Sequence, residues 1–550
     1  MKIKASAFLT LLLLTVADEV KAAPANVDFT ITTSEAVNVT GCPANCPRIT
    51  VTVDGQTRYA EYSAGTGSSS LTFSYAPTIG DLDLDGVTLT SPIDLNGGTI
   101  TDLNGNPETD LTFTVPDTSG IKIDYPSLSM DVVYDADGRY TLNGTVYNDL
   151  FSFLGAAGGS YTRASTATYF DSTGTLQTAA ANQPRFDHNP VTLQPKGIII
   201  EESRTNYIRN NTMQGAIVGT PGTLPTGWSV SLAAGISYDV SGIGQEDGID
   251  YIDIRLYGTP STTNAATIIF SPTMDTSASP NEIFTHSSYF KRQAGTATNV
   301  PYVVNRIGNY NSGGFSIGQL ASSAPVPSTL PLRRTSIGVT SSAATFSSTS
   351  TAYVRPFIFV PVSAAGVPID ITFRIGTPQL ERGGNRTSRI LTSGSAVTRD
   401  ADAITIPVGG WFLASAQTLA GQYSSGAPSG YSTRLASLND GTSNNAYQIA
   451  NAASGTIFSQ KAVSGVISNS SGPAYVSGAS YKVASSMDAS SSPFAANNTL
   501  YNNSNGGIPS GLTRLQVGYQ SNSSFLNGNI ENLKYYPTRV SNTQLQLLTQ

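Results

Sequence analysis

The chain has 550 residues, 52 of them glycine, with only 12% charged residues and two histidines; it is too long for one core and too poor in Glu, Lys and Arg to surface long helices. Its formal net charge of −7 is thinly spread and leaves no basic patch for a polyanion, which excludes nucleic acid as a partner, and two histidines exclude a three-histidine metal centre. A Thr-, Tyr-, Val- and Ile-rich composition points instead to an all-β chain of several β-sandwich domains in series.

Residues 1–23, MKIKASAFLTLLLLTVADEVKAA, place Lys2 and Lys4 before an apolar run and small residues at Ala22 and Ala23. This is the pattern of a secretory signal peptide, and the run is shorter than the ~20 residues that span a bilayer. The expected product is secreted or displayed at an extracellular surface, with no membrane span after cleavage.

In residues 24–125, short strands alternate with turns, and VDFTITTSEAVNVT, PRITVTVDGQTRYAEYSAG and SSSLTFSYAPT read as a sandwich. The stretches SEAVNVTG, SSSLTFSYAPTIGDLDLDGVTL and IDLNGGTITDLNGNP resemble bacterial Ig-like repeats of large secreted adhesins, which implies a stalk or spacer. Cys42 and Cys46, in GCPANCP, are expected to form a small-loop disulfide in an oxidising compartment, with free thiols as the other reading. Within DLDLDG, Asp81, Asp83 and Asp85 at alternate positions would share one face of a strand, where calcium is the cation that could bind; the other reading is a solvated strand end. YDADGRY, with Asp135, Asp137 and Gly138, reads as a turn.

Residues 126–209 contain YTRASTATYFDSTGTLQTAAANQPRFDHNP followed by PKGIIIEESRTNYIRN, where ATYFD and TLQTA flank a turn at Gly174. This segment is similar to one that recurs in phage head-fibre and tail-fibre structural proteins, which implies a β-rich connector without an enzymatic role. Asp187 and His188, like Glu201 and Glu202, are neighbours whose side chains diverge on an extended strand, so neither pair makes a catalytic dyad and hydrogen bonds to turns are their expected use.

Residues 210–398 alternate apolar and polar positions through many strands and read as a jelly roll. LPTGWSV, HSSYFKRQAG and FRIGTPQLERGGNRTSRILTSGSAVTRDAD are similar to carbohydrate-binding-module-like jelly rolls, especially those of phage fibres. Tyr257, Tyr289, Arg292 and Tyr310 are the expected ligand face, against ordinary strand packing as the alternative. GFSIG, centred on Ser316, matches a nucleophile-elbow pattern, but the proline-containing stretch that follows has no helical period. Trp228 and Trp411 each stand near a domain start, where a core or seam role is expected.

Residues 399–550 end in LNGNIENLKYYPTRVSNTQLQLL, which is similar to the last strands and terminal helix of concanavalin A-like, laminin G-like domains, with Ser541 as helix N-cap. After Trp411 the only acids are Asp440, Asp488 and Glu531, far apart in sequence, so the paired carboxylates of a glycan hydrolase are missing. No catalytic residue is assigned. The reading is a non-enzymatic secreted or surface fibre-like protein that recognises a glycan or cell-surface receptor, with homo-oligomerisation as a trimer or filament implied by the fibre resemblance. The alternatives are a purely structural filament or virion decoration protein and, last, a polysaccharide-degrading enzyme.

Overall fold

The computed structural model describes residues 25–135, 139–271, 276–325, 340–428, 430–501, 507–521 and 524–550, with the backbone alone in 320–325 and 340–345. The signal segment 1–23 and residues Asp137 and Gly138 lie outside the described residues. The described chain is all-β, arranged as several β-sandwich units with two short helices.

The N-terminal unit is a six-stranded antiparallel sheet in the order Thr88–Asp94, Arg48–Val53, Gln56–Ala64, Ser68–Tyr75, Val27–Thr40, Thr99–Asp102. In Arg48–Val53 the alternating sequence RITVTV buries Ile49, Val51 and Val53 against Phe29, Leu71 and Phe73. The turn after it has positive φ at Asp54 (46°) and Gly55 (74°), the conformation a two-residue hairpin of this hand requires. Cys42 and Cys46 are joined in a disulfide beside this sheet.

Residues 126–209 are not a separate connector, as the serial reading of the sequence expected. Leu128–Asp131 pairs with the far end of Gly528–Tyr536, Pro195–Ile200 pairs with its near end, and Ser160–Thr162 pairs with Ala403–Pro407. Together with residues 399–550 they build one sandwich of a ten-stranded and a seven-stranded sheet. One core serves both segments: Leu128, Tyr140, Phe153, Ile198 and Ile200 pack with Ile404, Leu438, Tyr447, Leu533 and Tyr535. The helix Leu150–Ala156 belongs to it too, capped by Asp149, which accepts from the Ser152 amide at 2.8 Å, and buried through Leu150, Phe153 and Leu154. Periodicity marks a strand but not its partner, and here the partners lie hundreds of residues apart, as Leu128 and Tyr535, Ile198 and Ile530, and Ser160 and Thr405 show.

The jelly roll is inserted into that sandwich. Its two ends, Arg204–Asn206 and Val397–Arg399, pair with each other at the neck. One of its sheets has the order Ile236–Glu246, Ile249–Gly258, Ile369–Arg382, Ile283–Gly295, Thr340–Thr345; the other has Ser229–Leu232, Asn264–Ile269, Tyr353–Pro361, Tyr302–Tyr310, Ser316–Pro325, with Thr276–Ser277 at its side. Ile252, Ile254 and Phe373 from the first meet Ile268, Ile307 and Ile358 from the second. Trp228 is core, with its Nε1–H donated to Asn210 O at 2.8 Å, and Trp411 packs edge-on to Tyr535.

The N-terminal unit is docked rather than free. Leu82 joins Tyr536, Val540 and Leu545 in a shared apolar cluster. Gln544, buried on the terminal helix Asn542–Leu547, accepts from the Leu84 amide at 2.7 Å and donates to Asp85. Asp54, in the hairpin turn, accepts from the Ser541 amide at 2.8 Å. Ser541 caps that helix through the Gln544 amide.

Candidate functional site

Two groups of arginines dominate the charged chemistry of the molecule. The first lies at the neck where the jelly roll enters the sandwich. Arg163, Arg185 and Arg399 share the carboxylates of Asp402 and Glu201: Arg163 reaches Asp402 at 3.0 Å, Arg185 reaches both acids, at 3.0 Å for Glu201, and Arg399 lies 3.5 Å from Glu201. Tyr161 donates to Asp402 at 2.7 Å, and the Ser388 amide and hydroxyl donate to Glu201 at 2.7 and 2.6 Å. Burial alone would raise the Glu201 carboxyl, but the Arg399 and Arg185 charges and the Ser388 hydrogen bonds outweigh it and bring it down to about 2. All five charged side chains are buried. No substrate reaches them, so the cluster is a clasp.

The remaining polar residues of that segment are structural. Asp171 holds its turn through the Thr173 and Thr175 amides at 2.9 and 3.0 Å, and Ala167–Phe170 pairs with Leu176–Ala179 as a hairpin. Asp187 accepts from the Phe170 amide and Lys196, while His188 faces Phe170 O. Glu201 and Glu202 depart from the reading of the acidic neighbours: Glu202 pairs with Arg204 and accepts from Asn527, and Glu201 has as partners guanidiniums brought from 185 and 399, which no local pattern shows.

The four residues expected to share a ligand face do not share one. The jelly-roll strands divide between two sheets, and Tyr257, Tyr289 and Arg292 lie on one sheet and Tyr310 on the other. Tyr257 alternates with core Leu256 and donates to Asp239 at 3.2 Å, beneath the Arg255 guanidinium, which in turn forms a two-point pair with Asp370 at 2.8 Å. Tyr289 is buried under the 167–179 hairpin, against Leu176 and Ile249, with Arg389 over its ring. Arg292 is half-buried and makes no hydrogen bond or ion pair with the described residues. The other charges near it on this sheet are mutually engaged: Arg374 bonds Asp253 and Glu246, and Lys291 bonds Glu246.

The opposite sheet differs. Its strands SVSL, NAATII, TS, YVRPFIFVP, YVVNRIGNY and SIGQLASSAP contain no Asp or Glu, and their only charged residues are Arg306 and Arg355. Ile307 and Ile358 point into the core, so Tyr302, Arg306, Tyr310, Arg355, Phe357 and Phe359 occupy the outward face. Arg306 lies over the Phe359 ring at 3.8 Å and Arg355 over the Tyr310 ring at 4.8 Å. Neither guanidinium has a carboxylate partner among the described residues, and the Nε of each is covered without an acceptor. Burial draws Arg306 below the usual guanidinium range, with no opposing acid to restore it. Gly308 stands opposite Arg355 in the ladder, and a Cβ there would come within 2.9 Å of the Tyr310 ring, so a glycine is what lets that ring lie down. The hairpin beyond Tyr310 projects Phe315, 73% exposed. Ser316 begins the following strand rather than a helix, which removes the nucleophile-elbow reading.

Other polar surfaces are internally satisfied. On the seven-stranded sheet Arg434 donates to Gln448 at 2.9 Å, Gln448 to Gln460, and Gln460 to Asn469 at 2.8 Å. Asp440 and Asp488 close turns through Thr442 and through Ser490 and Ser491, and Glu531 accepts from Gln422 at 2.7 Å and Ser480 at 3.1 Å.

The acidic triplet is also engaged, which corrects the expected calcium site. The strand there is only Leu82–Asp83, so alternate projection ends after two residues. Asp81 pairs with Arg58 at 2.8 Å and accepts from Tyr75, Asp83 accepts the Asp54 and Gly86 amides at 2.9 and 2.8 Å, and Asp85 accepts from Gln544. Among the described residues no group of three or more His, Cys, Asp or Glu is placed to hold a metal ion. Likewise, among these residues no helix is long and apolar enough to cross a membrane.

No protein-family model and no curated protein matches the chain. Solved structures similar to it include carbohydrate-binding modules and sialidases. The Ruminococcus gnavus IT-sialidase CBM40 bound to alpha2,3 sialyllactose is 17% identical over 25% of this chain and 84% of that one, with a TM-score of 0.22. The N-terminal CBM22 tandem domain of Paenibacillus barcinonensis Xyn10C is 10% identical over 60% and 98%, at 0.20, and a Trypanosoma rangeli sialidase 8% identical over 95% and 81%, at 0.23. TM-scores of this size carry no inference about function.

Proposed function

We propose that the chain is a non-enzymatic, exported recognition protein of fibre or adhesin type, and that the inserted jelly roll binds glycan on the outward face bearing Arg306 and Arg355. The observation that supports this reading is the pair of guanidiniums laid on aromatic rings without acids to neutralise them. Rings present flat apolar surface to a sugar face, and immobilised guanidiniums lose little freedom when they bind. Binding at one such shallow face is weak, and display in several copies raises the avidity. The test is a glycan array with the full chain in multivalent form, beside Arg306→Ala/Arg355→Ala. Retention of a glycan set by the native chain and its loss in the variant is the expected result; a native chain that retains nothing, or a variant that retains everything, removes the proposal. Glycans so identified are expected to remain uncleaved on prolonged incubation, and release of reducing ends would instead favour the enzymatic reading.

One feature favours assembly of copies as a second reading. Val466–Ala474 is the edge strand of the seven-stranded sheet and exposes Val466 (73%) and Ile467 (59%), an open edge of the kind that pairs with another chain. Light scattering across a concentration series tests it: a monomer that persists with Val466→Lys unchanged in size counts against it.

A further inference from the structure

We infer that the ligand of this face is an acidic glycan, gripped through a sugar carboxylate by Arg306 and Arg355; the inference rests on the recognition role proposed above for the same face. Arg306 stands opposite Phe357 and Arg355 opposite Gly308 on adjacent antiparallel strands, which makes the two arginines diagonal neighbours on one face. Such neighbours lie about 7–8 Å apart at the backbone, within the reach of one sugar residue for two long side chains. A guanidinium offers a planar fork that matches a carboxylate in two-point fashion.

Charge decides between neutral and acidic ligands. The chain as a whole carries more acids (37) than Lys and Arg (30), and on the opposite sheet of the same module Arg255 and Arg374 each sit against a carboxylate. Of the two large sheets of the jelly roll, this one holds two arginines and no acid in any strand. A neutral glycan laid over it would strip water from two cations and return no counter-charge, which costs free energy. A carboxylate supplies the counter-charge, and the exposed rings of Phe315 and Tyr302 flank the place where the sugar body would rest.

The experiment measures affinity of the full chain, in multivalent form, for polygalacturonate, its methyl ester, a sialylated oligosaccharide, its desialylated form and a sulfated galactan. Binding to a carboxylated member is expected, with about a tenfold or greater loss on esterification or desialylation, the scale of a charge-assisted hydrogen bond. Preference for polygalacturonate or for the sialylated probe identifies the source of the carboxylate, and either supports the inference. Arg306→Lys and Arg355→Lys keep the charge but lose the fork, and each is expected to lower affinity by about tenfold while thermal melts show an intact fold. Arg255→Gln, on the opposite sheet, is expected to leave it unchanged. Equal binding of acid and ester, or binding of the sulfated galactan alone, overturns the carboxylate inference and leaves recognition standing. No binding to any glycan, charged or neutral, overturns both.

Discussion

Arg163, Arg185 and Arg399 at the neck and Arg306 and Arg355 on the jelly-roll face are the same residue type in opposite circumstances. The neck arginines are buried and share Asp402 and Glu201, so every strong charge there is already answered by the fold. The face arginines rest on rings, half-buried, with no acid in their sheet. Density of charged chemistry is therefore a poor guide to a binding site in this molecule. Under the proposed function, what distinguishes the site is charge left unanswered where a ligand can reach it.

The comparison can be broken most forcefully at the neck. Asp402→Asn removes the carboxylate that Arg163 and Arg185 both contact and strands buried guanidiniums; it is expected to cost about 3–5 kcal/mol in chemical denaturation. A stability change under 1 kcal/mol would mean that the clasp is not holding the fold. Next is acid. The Glu201 carboxyl is depressed from 4.5 to about 2, so its contribution is complete above pH 4.5 and is lost as pH falls toward 2. That contribution is of order 3 kcal/mol. The midpoint of denaturant unfolding should fall across that window, and Glu201→Gln should flatten the dependence. Tyr161→Phe removes one hydrogen bond to Asp402 and should cost about 1.5–3 kcal/mol in the same measurement. The smallest effect is expected on the other side of the comparison: Arg355→Ala should change stability by no more than about 0.5 kcal/mol, since no carboxylate is left behind. A loss comparable to that of Asp402→Asn would make the face a structural element and not a binding surface.

The sequence made much of this legible, and for physical reasons. Alternation in RITVTV or YVVNRIGNY encodes which side of a strand is buried, and composition excludes long helices, so the all-β class was accessible. Tyr310 could be chosen as an outward-facing ring from its own strand. Its companions could not, because a strand's alternation says nothing about which of two sheets it joins, and Tyr257, Tyr289 and Arg292 went to the other one. Arg355 was within reach of a different question: where in the chain two arginine-bearing strands occur with no acid between them and their neighbours. The neck cluster was beyond local reasoning, since Arg163, Glu201 and Asp402 are drawn together only by strand pairing between distant segments.

The insertion of the jelly roll within the sandwich has a consequence for how the chain comes to be folded. Leu128–Asp131 and Pro195–Ile200 share one side of the strand Gly528–Tyr536, end to end, so these early strands gain that partner only when nearly the whole polypeptide exists. An unfolded loop between Arg204–Asn206 and Val397–Arg399 would hold those halves far apart, at an entropic cost that grows with its length. Once the jelly roll has folded with its ends paired, it brings residues 206 and 397 side by side and turns a distant search into a local one. The inserted jelly roll would thus act as the staple on which the rest of the chain closes, with early strands such as Leu128–Asp131 left as open edges until that moment.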